Sequence, residues 1–143
     1  MKLTDDRIIL ELLNIAIDAG KEIIKIYDNE IIVNSKEDDS PLTEADINSN
    51  NLIFRRLKEL DSSIPLLSEE TLVAWDKRNT WSKYWLIDPL DGTKEFINKN
   101  GEFTINIALI NNNYPTQGFV YIPKDKTLFF GGLNKGSYKL LND

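Results

Sequence analysis

The chain contains neither histidine nor cysteine among its 143 residues. Without cysteine there are no disulfides, thiolate nucleophiles or zinc–thiolate sites. Without histidine, Ser-His-Asp catalysis and histidine-based zinc sites are excluded as well. Any catalysis in this chain therefore has to use carboxylates, hydroxyls, lysines or backbone groups.

Positive charge is scarce, since 17 Lys and Arg face 23 Asp and Glu, for a net charge of −6. A basic nucleic-acid-binding face is therefore not expected. An acidic protein still binds an anionic substrate when metal ions neutralise the contact locally.

Long hydrophobic runs are missing too. No segment reaches the roughly 18 apolar residues that a membrane span requires, and residues 1–6 lack the apolar core of a secretory signal. We therefore expect a cytoplasmic protein with no membrane span. A length of 143 residues suits one domain, 1–143.

The pattern of apolar residues predicts an α+β fold, with two helices packed on an antiparallel sheet. Helical spacing runs from Ile9 to Tyr27, with Thr4 or Asp5 as its cap, and a second helix begins near Thr43. Strands are predicted at 31–33, 65–67, 84–88, 103–109, 116–122, 127–131 and 137–141.

Three local features carry further expectations. Gly20 interrupts the first helix, which indicates close packing against another element. Residues 35–41 read as a loop. Residues 71–83 read as irregular, with Trp75 and Trp81 as packing anchors.

The most distinctive motif follows the strand that ends near residue 88. Asp88 and Asp91 are spaced i, i+3, and a tight turn through Pro89 and Leu90 would bring both side chains to one side. Magnesium prefers such carboxylate ligands, and the carbonyl of Leu90 could add another. The alternative is an ordinary solvated Asp-Gly turn.

Gly92 and Thr93 come directly after this pair. Glycine permits close backbone approach, and the two amides would open a short helix whose N-terminus attracts phosphate. Lys94 is either a phosphate contact or a solvated lysine.

Two other acidic positions have both a structural and a functional interpretation. One of Glu69 and Glu70 could complete a metal shell, or the pair could begin a helix capped by the preceding serine. Thr43 and Asp46 have capping-box spacing. Alternatively, Asp46 could orient an attacking water together with the hydroxyl of Thr93.

These motifs together resemble a known family. Residues 36–46, 67–70 and 85–104 are similar to the inositol monophosphatase superfamily of metal-dependent, lithium-sensitive phosphatases. Lys94-Glu95 resembles the 3′(2′),5′-bisphosphate nucleotidase branch, because the inositol monophosphatase branch usually has threonine-asparagine there. The resemblance implies the N-terminal half of a layered α/β sugar-phosphatase fold.

The resemblance also implies a metal centre with two or three Mg²⁺ ions. Glu69, Asp88 and the Leu90 carbonyl would hold one ion, and Asp88 and Asp91 would share a second.

Catalytic and substrate-binding roles follow from the same resemblance. Asp46 and Thr93 would position the nucleophilic water. The amides of Gly92 and Thr93 would bind the scissile phosphate, with Asp91 and Lys94 also at the substrate.

The implied reaction removes the 3′-phosphate of adenosine 3′,5′-bisphosphate, a step of sulfur metabolism, to give AMP and phosphate. Alternatives are an inositol or sugar monophosphatase, or a non-catalytic remnant that folds or dimerises as a possible homodimer. Haloacid-dehalogenase phosphatases do not fit, because their two aspartates are separated by one residue, whereas two residues separate Asp88 and Asp91.

Members of the superfamily are nearly twice as long and supply a further metal-binding aspartate from a Trp-Asp-x-Ala-Ala motif in their second half. Nothing after Thr93 matches that motif, and Trp75-Asp76 precedes the metal loop and lacks the alanines. We therefore expect the C-terminal α/β half to be absent and the activity of this chain to be impaired.

Overall fold

The computed structural model describes residues 6–141, so the predicted cap at Thr4 or Asp5 lies outside the described residues. Four helices are found in this range: Asp6–Tyr27 (α1), Glu44–Leu60 (α2), Trp75–Arg78 (α3) and Thr93–Ile97 (α4). The eight strands of the same range are Val33–Ser35 (β1), Pro41–Thr43 (β2), Leu66–Ser68 (β3), Lys83–Asp91 (β4), Thr104–Asn111 (β5), Tyr114–Ile122 (β6), Thr127–Gly132 (β7) and Gly136–Leu141 (β8).

The strands form a small hairpin and a six-stranded sheet. The hairpin pairs β1 with β2, and the sheet has the order β3-β4-β5-β6-β7-β8. All neighbours in the sheet are antiparallel except β3 and β4, which are parallel. The connection that carries α3 allows this, because parallel neighbours need a crossover rather than a tight turn. The predicted α+β class is confirmed, with one parallel pair added at the edge.

Helices α1 and α2 cover one face of the sheet and bury the core against it. The apolar stripe predicted for α1 faces inward, and the fully buried members of the core include Leu12, Ala16, Ile23, Ile53, Leu57, Trp85 and Ile105. At Gly20 an added Cβ would lie 2.4 Å from Cε1 of Tyr121 on β6. The expectation of close packing at this glycine is confirmed.

The opposite face of the sheet, which we call the open face, carries Leu86, Val120 and Phe129. These side chains are 43%, 38% and 41% exposed. With the loop between β1 and β2 and the residues after β3, part of this face lines a broad concavity of about 1020 Å³. The sheet therefore has one face packed by helices and one accessible face within residues 6–141.

The structure differs locally from the predictions for residues 31–41 and for one of the two tryptophans. The first strand is shifted to 33–35, and it pairs with β2, whose first residue lies in the predicted loop. Asp39 turns the chain with a φ of 63°, and Asp38 Oδ1 accepts a hydrogen bond from the amide of Ser40 at 3.0 Å. Trp75 is 63% exposed and meets the guanidinium of Arg78 on its own helix, so the prediction of a core anchor is wrong, whereas Trp81 is half-buried against Tyr84.

Across residues 6–141, no helix is both long and apolar enough to cross a membrane. The predicted location in the cytoplasm stays a prediction.

Candidate active site

The end of β4 contains a bulge that places two carboxylates on the same face. The strand continues through Pro89 and Leu90, so the predicted tight turn is wrong. Asp88 pairs with Asn106 and Asp91 pairs with Thr104, so β4 contains one more residue than β5 between these two pairs. Successive side chains on a regular strand alternate, and residues i and i+3 would point to opposite faces. The extra residue brings both aspartates to the open face.

Pro89 is compatible with this irregular strand end, because a proline within a sheet is tolerated at a bulge. Its carbonyl accepts a hydrogen bond from Ser49 Oγ of α2 at 2.7 Å. Ser49 is buried, so this bond fixes the bulge to the helix layer.

Asp88 is the electrostatic centre of the site. Its Oδ1 is buried and has no hydrogen-bond partner in the described part of the chain. Burial raises the pKa of Asp88 to about 7, and the negative charges of Glu69 and Asp91 add to the shift. A buried, unpartnered carboxylate oxygen beside two further carboxylates has the chemistry of a hard cation site. The chemistry of these donors therefore suits a divalent ion.

Glu69 reaches Asp88 because β3 and β4 run parallel and end at the same edge of the sheet. Its amide donates to the carbonyl of Ile87 at 3.3 Å, directly beside Asp88. No helix begins here. A turn follows β3 and an isolated bridge joins Ser68 to Thr71, so the helix-start interpretation of this segment is wrong.

Lys36, from the loop between β1 and β2, joins the site beside the glutamates. Its Nζ lies 2.6 Å from Glu70 Oε1 and 3.9 Å from Glu69 Oε1. Burial raises the pKa of Glu70, and the ammonium group of Lys36 opposes that rise. The sequence reasoning missed Lys36 as a site residue, since its partners lie more than thirty positions away.

Asp46 makes the capping contact that its sequence position suggested and also meets the hydroxyl of Thr93. It is fully buried at the start of α2. Its Oδ2 accepts hydrogen bonds from the amide and the hydroxyl of Thr43, at 2.8 and 2.6 Å. Its Oδ1 accepts one from Thr93 Oγ1 at 3.0 Å. The cap uses one oxygen and the contact with Thr93 uses the other.

Gly92 makes the link between the bulge and α4. Its φ of 87° lies in the left-handed region, and an added Cβ would stand 2.9 Å from the carbonyl oxygen of Glu102. Glycine is therefore required here for two independent reasons. Helix α4 begins at Thr93, and its initial hydrogen bond runs from the amide of Phe96 to the carbonyl of Gly92. Lys94 is exposed to solvent.

Asp91 and its neighbours complete the open-face side of the site. Asp91 Oδ2 accepts a hydrogen bond from Asn106 Nδ2 at 3.0 Å. Sequence reasoning missed Asn106, although its place among alternating apolar residues of β5 already marked it as pointing away from the core. Between residues 6 and 141 no group of three or more acidic side chains is close enough to hold a metal ion. Mutual repulsion of ionised carboxylates opposes such a cage unless a cation neutralises it.

Comparison with known proteins defines the class to which this fold and site belong. The model of the inositol monophosphatase family matches residues 5–140, and the chain belongs to this family. Within the family, its relatives include CysQ proteins. The 3′(2′),5′-bisphosphate nucleotidase CysQ of Salmonella typhimurium is 46% identical over 127 residues, which are 87% of this chain and 52% of the relative.

Solved structures agree with this assignment. CysQ from Bacteroides thetaiotaomicron superposes with a TM-score of 0.79 at 40% identity, covering 93% of this chain and 48% of that one. An IMPase/NADP phosphatase complexed with Mg²⁺ and phosphate has a TM-score of 0.78 at 21% identity, covering 94% and 49%, and this likeness shows the fold alone. The chain spans about half the length of the curated relatives it matches.

Proposed function

We propose that this chain carries the metal-binding half of a Mg²⁺-dependent phosphatase that removes the 3′-phosphate of adenosine 3′,5′-bisphosphate. The observation that carries the proposal is the buried, unpartnered Oδ1 of Asp88 between Glu69 and Asp91. Support for the substrate comes from the CysQ relatives, which are bisphosphate nucleotidases by name. Support for the metal comes from a neighbour of the same fold solved with Mg²⁺ and phosphate.

In this proposal the metal ligands are the residues around the bulge. Glu69, Asp88 and the carbonyl of Leu90 would hold one Mg²⁺, and Asp88 and Asp91 would hold another, in a site of two or three ions. Bound Mg²⁺ lowers the pKa of a water and neutralises charge on the phosphate. The bulge keeps Asp88 on the same face as Asp91, so that both carboxylates would be available to the ions.

Asp46 and Thr93 would position the attacking water. Thr93 Oγ1 donates its hydrogen to Asp46 Oδ1, so the lone pairs of Thr93 are left to accept a hydrogen from a water molecule. Asp46 is anchored by Thr43 and buried, which fixes the orientation of the Thr93 hydroxyl. Water then attacks phosphorus and gives up a proton, the bond from phosphorus to the ribose oxygen breaks, and the leaving oxygen takes up a proton in turn.

The phosphate would bind at the start of α4. The backbone amides of Gly92 and Thr93 lie in the first turn, where the helix supplies them no partner of its own. Asp91 and the exposed side chain of Lys94 border the same place. Lys94-Glu95 also distinguishes this loop from the inositol monophosphatase branch.

The second candidate substrate is an inositol or sugar monophosphate, which the description of the matching family favours. A folded but non-catalytic chain is the third outcome. Because the chain spans about half of its relatives, we expect turnover below that of a full-length member. Lithium inhibition and a homodimer remain predictions.

The test is phosphate release by the purified chain from adenosine 3′,5′-bisphosphate and from inositol 1-phosphate, each with Mg²⁺ and with EDTA. We expect Mg²⁺-dependent release that is faster from the bisphosphate, and its loss in Asp88→Asn. Asp76→Asn is the matched control, because Asp76 is an exposed aspartate on α3. Equal release by Asp88→Asn and the parent would contradict the metal site, and faster release from inositol 1-phosphate would change the substrate.

A further inference from the structure

Asn106 lies opposite the bulge and contacts one of the two aspartates directly. It faces Asp88 across the β4–β5 pair, and its Nδ2 donates to Asp91 Oδ2 at 3.0 Å. The strand neighbours Ile105 and Ile107 are buried in the core, so Asn106 points to the open face. One carboxamide therefore stands between the two positions that the bulge brings together.

Thr104 fixes which end of this carboxamide meets Asp91. Its Oγ1 donates to Asn106 Oδ1 at 3.2 Å, and Thr104 is itself the strand partner of Asp91. A hydroxyl donor at the oxygen end leaves the NH₂ end for the carboxylate. The contacts form a short relay, from Thr104 to Asn106 to Asp91, on the same strand pair that contains the bulge.

We propose that Asn106 is a positioning residue that holds Asp91 for the metal ion, an inference that rests on the proposed function. Its hydrogen bond occupies Oδ2 of Asp91 and leaves Oδ1 for a cation. A neutral donor suits this place, because a lysine or arginine there would orient Asp91 but would also repel Mg²⁺. Lys36 shows the contrast, since it places its charge against Glu70, with Glu69 farther away.

The experiment is calorimetric titration of Mg²⁺ into the parent chain, Asn106→Leu, Thr104→Val and the double variant. Leucine is close in shape to asparagine but donates no hydrogen bond. We expect the Kd for Mg²⁺ to rise about tenfold in Asn106→Leu, as for loss of a hydrogen-bond partner of a metal ligand. Thr104→Val should raise it about threefold, since only the orientation of the amide is loosened. The double variant should match Asn106→Leu.

Two controls separate positioning from general damage. Thr104→Ser keeps the hydroxyl and should restore the parent Kd. Thr116→Val removes a hydroxyl from the next strand, where Thr116 Oγ1 donates to the carbonyl of Leu109 at 3.1 Å, and should leave the Kd unchanged. In EDTA the melting temperatures of Thr104→Val and Thr116→Val should be similar. A difference in their Kd for Mg²⁺ then cannot be assigned to a difference in stability.

Equal Mg²⁺ affinity of Asn106→Leu and the parent would overturn the role of Asn106 and leave the proposed function standing. Additive losses in the double variant would overturn the relay from Thr104. If Asn106→Leu fails to fold, Thr104→Val decides, and a parent-like Kd overturns the inference. A parent chain that binds no Mg²⁺ would overturn the metal site of the proposed function and this inference with it.

Discussion

Two carboxylates of the same site have opposite surroundings. Asp46 is fully buried, yet both of its oxygens accept hydrogen bonds, from Thr43 and from Thr93. Asp88 has one buried oxygen without a partner and stands beside two like charges. The hydrogen bonds of Asp46 are satisfied by protein groups alone, whereas those of Asp88 are not, and the proposed function assigns its free oxygen to a cation.

The difference indicates that the carboxylate of Asp46 stabilises the fold, whereas the carboxylate of Asp88 is available to a ligand. A carboxylate whose oxygens all accept hydrogen bonds is held in one orientation and contributes to stability. A buried carboxylate oxygen without a partner lowers the stability of a metal-free chain, and binding of a cation restores it. Variants at the two positions should therefore respond to Mg²⁺ in different ways.

Asp46→Ala should have the largest effect and should lower the free energy of unfolding by about 3 kcal/mol, since a helix cap and buried partners are lost together. The loss should be similar in EDTA and in Mg²⁺, measured by urea unfolding. Asp76→Ala on exposed α3 is the control and should change little. A loss that appears only with Mg²⁺ would make Asp46 resemble Asp88.

Thr93→Val should reduce Mg²⁺-dependent phosphate release about 100-fold, because valine has the shape of threonine but cannot orient a water. Thr93→Ser keeps the hydroxyl and should retain most of the rate. The measurement is initial rate at saturating Mg²⁺. Equal rates for Thr93→Val and Thr93→Ser would show that the hydroxyl has no part in the reaction. Asp46 would then act only as a helix cap.

The effect of Asp88→Asn on the free energy of unfolding should have opposite signs in EDTA and in Mg²⁺. The pKa of Asp88 in the folded chain, about 7, lies above the ordinary aspartate value of 3.8, so the folded chain binds the proton more tightly and parent stability falls as pH rises between these values. In EDTA at pH 8 the variant should be more stable by about 1.5 kcal/mol, a figure discounted for solvent screening of a half-buried group.

Urea unfolding at pH 5 and pH 8 checks this result. The advantage of Asp88→Asn should shrink at pH 5, and addition of Mg²⁺ at pH 8 should stabilise the parent and not the variant. If the variant is less stable than the parent at pH 8 in EDTA, Asp88 has a partner and the comparison with Asp46 fails.

Lys36→Met should have the smallest effect, a loss of about 1 kcal/mol in EDTA, because it leaves the mostly buried carboxylate of Glu70 without its cation. Lys36→Arg keeps the charge and should retain most of the stability. The measurement is thermal unfolding in EDTA. Lys21→Met removes an exposed ion pair with Asp18 and should leave the melting temperature unchanged. Equal melting temperatures for the Met and Arg variants at Lys36 would refute the pairing.

Much of the fold could be predicted because it depends on periodicity. The alternation of β5 to β8 and the helical stripe of α1 state which side chains face the core. The parallel pairing of β3 could not be read, since three residues carry too little pattern to fix a direction. Trp75 was misplaced because size alone does not indicate which neighbours a side chain finds.

The site was predictable where its residues are close in sequence and unpredictable where they meet through the sheet. Asp88 and Asp91 attracted attention as a pair, but their i, i+3 spacing suggested a turn, because a bulge has no sequence signal of its own here. Lys36 and Asn106 reach the site only through strand pairing and loop packing. The cap and the contact with Thr93 looked like alternatives for Asp46, but its two oxygens have separate partners.

The contact of Gly20 with Tyr121 has a consequence for how the chain folds. Helix α1 forms from the first part of the chain, yet the surface that receives it includes β6, which is made about a hundred residues later. Contacts of such long sequence separation slow folding. During synthesis α1 and α2 can pair early, but their apolar faces stay without a sheet until β6 has left the ribosome. We therefore expect refolding to be limited by the docking of α1, and Gly20→Ala to slow that step.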